Sequence, residues 1–103
     1  MSSIKIRTKR KKGTTQIRTL IAHPMETGLR KDKDTGEMIP AHFIQELTVK
    51  HNDKIIASCV LGSGISKDPY FAFLINGGEP GDRITISWSD NLGNLESEEN
   101  IIK

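Results

Sequence analysis

Arg83-Ile84-Thr85-Ile86-Ser87-Trp88-Ser89 alternates without a break, with Ile84, Ile86 and Trp88 on one side and polar residues on the other. Successive side chains leave a strand on opposite faces, so a period of two marks a half-buried strand. The same period recurs along the chain. Ser3 to Lys9 sets Ile4, Ile6 and Thr8 against Lys5, Arg7 and Lys9. Thr14 to Ala22 is rich in Thr and Ile, which suit a pleated surface. Phe43 to His51 sets Phe43, Gln45, Leu47 and Val49 against Ile44, Glu46, Thr48 and Lys50. Asn52-Asp53 tolerates a tight hairpin turn, and Lys54 to Leu61 returns from it. Tyr70 to Ile75 is the most apolar run and is expected to be a central strand. Leu95 to Glu98 reads as a short, acidic last strand.

About seven strands separated by Gly, Asn, Asp and Pro clusters predict an all-β fold. The expected architecture is an immunoglobulin-like antiparallel β-sandwich forming a single domain over residues 1–103. A helix over Arg30 to Met38 is opposed by Gly36 and by the Asp and Thr content. With 35% hydrophobic residues, one Trp, one Tyr and three Phe, the chain supports one modest core. No apolar run approaches the ~18–20 residues of a membrane span. Met1-Ser-Ser-Ile-Lys-Ile-Arg7 lacks the apolar stretch of a signal peptide. That pattern fits a cytoplasmic protein, or one exported in association with another chain. A net charge of +2 is too small to predict a polyanion partner.

Several groupings invite a chemical role, and each has a plainer one. Lys9-Arg10-Lys11-Lys12 has the charge to touch phosphates but no stacking aromatics, so it reads as a solvated hairpin end and no nucleic-acid partner is expected. His23, His42, His51, Cys59 and the Met residues are possible soft-metal ligands. The histidines all precede Cys59, and His23 and His51 stand next to turns, so no metal site is expected. Cys59 lies inside a strand and reads as a small buried hydrophobe rather than a reactive thiol. Ser63 and Ser66 sit in a Gly-rich loop without a nucleophile elbow. Gly62-Ser-Gly-Ile-Ser66 lacks the Lys-Ser/Thr ending of a phosphate loop. Glu26, Asp32, Asp34 and Glu37 interleave with Arg30, Lys31 and Lys33, the pattern of a solvated charged surface. No catalytic residue and no cofactor is assigned.

One segment is out of proportion. His23 to His42 spans about 20 residues between strands, where structureless loops beyond roughly 12–15 residues are uncommon. It carries Met25, Leu29, Met38 and Ile39 among paired charges. Met and Arg are enriched at protein interfaces, and Met adapts to varied surfaces. Met25, Glu26, Thr27, Gly28, Leu29, Arg30, Lys31 and Asp32 are therefore the expected partner-binding residues. The competing use of Met25 and Leu29 is to close the end of the sandwich.

His23-Pro-Met-Glu-Thr-Gly-Leu-Arg-Lys-Asp32, followed by Ile39-Pro-Ala-His-Phe-Ile-Gln-Glu46, resembles the SoxZ family. These are small subunits of the bacterial sulfur-oxidation carrier complex. Ser3-Ile-Lys-Ile-Arg7, Ser66-Lys-Asp-Pro-Tyr-Phe-Ala-Phe73, Gly81-Asp-Arg-Ile84 and Trp88-Ser-Asp-Asn91 extend the resemblance over nearly the whole chain. The resemblance implies a sandwich without catalytic residues. It implies pairing with a homologous Y subunit, which carries sulfur intermediates on a cysteine in a glycine-rich C-terminal arm and presents them to thiosulfate-oxidation enzymes. It implies a periplasmic location reached by export with that subunit, and a surface that allows a homodimer when the chain is isolated. The ending Asn100-Ile-Ile-Lys103 has no glycine-flanked cysteine and so matches Z rather than Y. Cys59 has no flexible arm and is not given the carrier role. The alternative is a general β-sandwich ligand-binding or adhesion module.

Overall fold

The computed structural model describes residues 3–62 and 64–103; Ser63, weighed above as a loop serine, lies outside them. Seven strands follow in order: β1 (Ile4–Lys11), β2 (Thr14–Ile21), β3 (Ile44–His51), β4 (Lys54–Val60), β5 (Tyr70–Asn76), β6 (Arg83–Asp90) and β7 (Leu95–Ile101). Among the described residues there is no helix. The strands form two antiparallel sheets, β1-β2-β5 and β4-β3-β6-β7. They pack as a sandwich, with β1 lying against β7 at one flank.

The alternation sets which side chains meet. Ile17 and Ile21 of β2, Leu47 and Val49 of β3, and Ile84 and Ile86 of β6 are fully buried between the sheets. Each such side chain contributes roughly 1.5–3 kcal/mol on leaving water. Trp88 is also buried, while Phe43, Phe71 and Phe73 only partly cover the core.

Two expectations need correcting. The pairing of β3 with β6 shifts register between Ile44 and Glu46. This bulge brings Ile44 to the same side as Leu47, so Ile44 is fully buried and Phe43 is not. β5 is an edge strand, and β2 is the centre of its sheet. The apolar run of β5 predicts a central strand, but its outer face is uncovered: Tyr70 and Leu74 are exposed. β7 also runs further than its sequence indicated, to Ile101.

Candidate docking site

The long segment between β2 and β3 folds on itself as a narrow ribbon. Glu26 and His42 exchange backbone bonds, with N···O distances of 2.6 and 2.9 Å. Ile39 N donates to Arg30 O at 2.8 Å, and Asp32 N to Glu37 O at 2.8 Å. At the tip, Asp32 Oδ1 accepts from Asp34 N at 2.8 Å and Thr35 N at 3.2 Å, a turn that Asp favours by this local bond. Gly28 has φ +85°, and a Cβ there would sit 3.2 Å from Ala41 Cβ on the opposite limb. Arg30 and Glu26 form an ion pair along one side. The Arg30 guanidinium holds the Glu26 carboxyl below its usual range.

The structure divides the expected contact residues. Met25 is 5% exposed and belongs to the core. Its thioether accepts from Ile44 N at 3.3 Å, and its φ of +48° turns the chain out into the ribbon. Leu29 is 81% exposed, and Met38 on the facing limb is about half exposed. Glu26 and Thr27 are at the ribbon's base, where Thr27 Oγ1 accepts from Leu29 N at 3.0 Å. Gly28, Arg30, Lys31 and Asp32 continue outward, with Lys31 bridged to Met38.

A buried polar knot braces the base. His23 Nε2 lies 3.1 Å from Asp90 Oδ2, and His42 Nε2 lies 2.8 Å from the same atom. Asn94 Nδ2 also donates to Oδ2 at 3.0 Å, while Leu92 N and Asn94 N donate to Asp90 Oδ1. His23 stands edge-on to Trp88 at 5.1 Å and to His42 at 4.5 Å. His23, placed beside a turn by the sequence, is thus buried. Burial works against the Asp90 charge, but the bonds from Asn94, His23 and His42 outweigh it and hold the carboxyl below its usual range.

The ligand atoms of His23, His42 and Asp90 lie within 4.8 Å of one another, a spacing that suits a cation. The proton positions oppose that use. Met25 N donates to His23 Nδ1 at 3.1 Å, so Nε2 is the protonated nitrogen and its hydrogen points to Asp90. It has no lone pair to offer. The knot fastens the start of the ribbon (His23), its end (His42) and the last residue of β6 (Asp90) into one piece.

Below the ribbon is an open groove of 520 Å³, walled by Pro24 to Thr27 and Arg30 on one side and Gly64 to Lys67 on the other. Asp68 fixes the second wall: its N donates to His23 O at 3.0 Å, and His23 N donates to Asp68 Oδ1 at 3.0 Å. Sequence reading placed these stretches separately and gave Asp90 no role beyond its place in Trp88-Ser-Asp-Asn91. A histidine–aspartate pairing across 67 residues leaves no local pattern. Cys59 is a free, half-buried thiol on β4 and is not among the clustered ligand atoms.

Fold and site together define a two-sheet β-sandwich whose main elaboration is a braced surface ribbon. The chain belongs to the SoxZ family: the family described as sulphur oxidation protein SoxZ matches residues 4–100. It is thereby a sulfur-oxidation subunit. No curated protein sequence matches the chain. Among solved structures, superoxide reductase from Nanoarchaeum equitans is similar, with a TM-score of 0.70 and 13% identity over 98% of this chain and 92% of that one. A hypothetical protein from Pyrococcus horikoshii gives 0.67 and 11%, covering 97% and 85%. Superoxide reductase (neelaredoxin) from Ignicoccus hospitalis gives 0.66 and 17%, covering 99% and 79%. At these identities the likeness is one of fold alone.

Proposed function

We propose that this chain is the non-catalytic scaffold of a periplasmic sulfur carrier complex. It pairs with a cysteine-bearing Y-type subunit, with which it is exported, and helps dock that subunit to the enzymes of thiosulfate oxidation. The observation that carries the reading is the family match over residues 4–100. The knot supports it: its donors and acceptors serve to hold the ribbon and not to receive a substrate. A carrier arm that visits several active sites needs a fixed base, and a sandwich with loops set on rigid strands supplies one.

The partner-facing residues are the exposed part of the ribbon, led by Leu29 and Arg30, with Met25 holding it from beneath. Co-expression with the cysteine-bearing subunit, followed by purification through a tag on one chain, tests the reading. A stoichiometric complex is expected. Two chains that elute apart at micromolar concentration would overturn it.

A further inference from the structure

This inference rests on the reading above and adds to the ribbon a second surface for the same partner. The four sheet edges are not alike. β1 is lined by Lys5, Arg7, Lys9 and Lys11, and Asn100 Nδ2 donates to Ile6 O at 2.9 Å, tying it to β7. β7 carries Glu96, Glu98 and Glu99. β4 starts with Lys54 and is disturbed by a register shift at Val49/Lys50 of its neighbour. β5, Tyr-Phe-Ala-Phe-Leu-Ile-Asn, has no charge, no proline and no bulge. Among the described residues it pairs with β2 alone, so alternate N–H and C=O groups face outward. Natural sheets blunt their edges with charge, proline, bulges or a cover. An unguarded edge is where another strand adds.

The core is open on the same flank. At the β1–β7 side, Ile4, Ile6 and Ile102 are buried. On β5, Phe71, Phe73 and Ile75 are only partly covered, as are Ala57 and Cys59 of β4. The outer face adds charge. Its cross-strand rows read Lys5-Leu20-Tyr70, Arg7-Arg18-Ala72 and Lys9-Gln16-Leu74, basic toward β1 and apolar toward β5, with no acid. Arg7 stands directly opposite Arg18, an arrangement that costs stability and asks for an anion. A strand added beyond β5 would lie two strand spacings from β2, about 9.6 Å, within reach of an extended Arg18. Lys67, on the wall of the groove under the ribbon, precedes Tyr70 by three residues.

We propose that the free edge of β5 takes an extended strand of the partner subunit, with apolar side chains turned inward over Phe71 and Phe73 and carboxylates turned outward toward Arg18 and Arg7.

Amide hydrogen exchange on the complex with the cysteine-bearing subunit tests this. Amides of residues 70–76 are expected to slow by about tenfold or more on complex formation, while those of β1 and β7 do not change. Leu74→Lys, at an exposed position opposite the uncharged Gln16, should weaken binding at least about tenfold with an unshifted melting curve. Arg7→Gln with Arg18→Gln should weaken it less and flatten its salt dependence. A complex that forms with residues 70–76 unprotected, or that tolerates Leu74→Lys, overturns this inference alone. Absence of any complex overturns the functional reading and this inference with it. Protection of 70–76 that rises with the concentration of the isolated chain, and is unaltered by the subunit, would assign the edge to a second copy and overturn the proposed occupant.

Discussion

Asp90 accepts five hydrogen bonds, from His23, His42, Leu92 and twice from Asn94. Asp82 is held at the other end of β6, where Glu79 N, His51 and Asn52 lower its carboxyl to about 2. Both groups are more acidic folded than unfolded, where an Asp titrates near about 3.9. Their stabilisation is therefore complete above about pH 5, and is lost as pH falls toward 2, because the unfolded chain takes up the protons first. Urea unfolding between neutral pH and about pH 3 should show a falling midpoint, and Asp82→Asn should flatten that fall; a level wild-type profile would count against the assignment. Met25 and Arg30, five residues apart, should also separate. Met25→Ala removes a buried side chain and the acceptor for Ile44 N, costing about 2–5 kcal/mol. Arg30→Ala touches only the exposed pair with Glu26, so it should lower partner affinity at an unchanged unfolding midpoint. If both variants melt together, Arg30 has a structural part that its exposure does not show.

At the scale of elements, period-two patterning carried most of the information. β2 starts at Thr14, β3 ends at His51 and β6 starts at Arg83, as the alternation indicates. It failed where one extra residue enters the ladder, at Ile44, because a bulge exchanges faces without changing composition. It failed again at β5, where apolar side chains on both faces look the same whether the second face is covered by this chain or by another. The connections follow a different logic. Gly78, between β5 and β6, has φ +91°, and a Cβ would overlap the buried Thr15 Oγ1, whose hydroxyl donates to Gly77 O at 2.8 Å. Gly13, in the β1–β2 turn, has φ +70° with open space around it. Gly78→Ala should thus cost more than Gly13→Ala. The second carries only the left-handed penalty of about 1–2 kcal/mol, and the first adds displacement of a core threonine. Equal shifts in the urea midpoint would mean that Thr15 yields without cost.

For the whole molecule, the small net charge hides an uneven distribution. The outer face of β1-β2-β5 carries Lys5, Arg7, Lys9, Lys11 and Arg18, while β7 carries Glu96, Glu98 and Glu99. A sequence reading sums these to +2, because only the register shows that Arg7 meets Arg18. The ribbon was legible as an oversized segment between two strands. Its brace was not, since His23, His42 and Asp90 come from three separate parts of the chain. The basic face has a thermodynamic consequence in the isolated protein. Like charges directly opposite on a strand pair repel, and with no acid on that face nothing offsets them. Arg18→Gln should therefore raise the melting temperature at low salt. At about 1 M salt, where the screening length is about 3 Å, the gain should vanish. In the complex the sign should reverse, because the same substitution removes a guanidinium that the partner's carboxylates would meet. A variant that is more stable alone and less stable with its partner identifies a charge kept for binding. One that gains equally in both states would show that Arg18 faces only water.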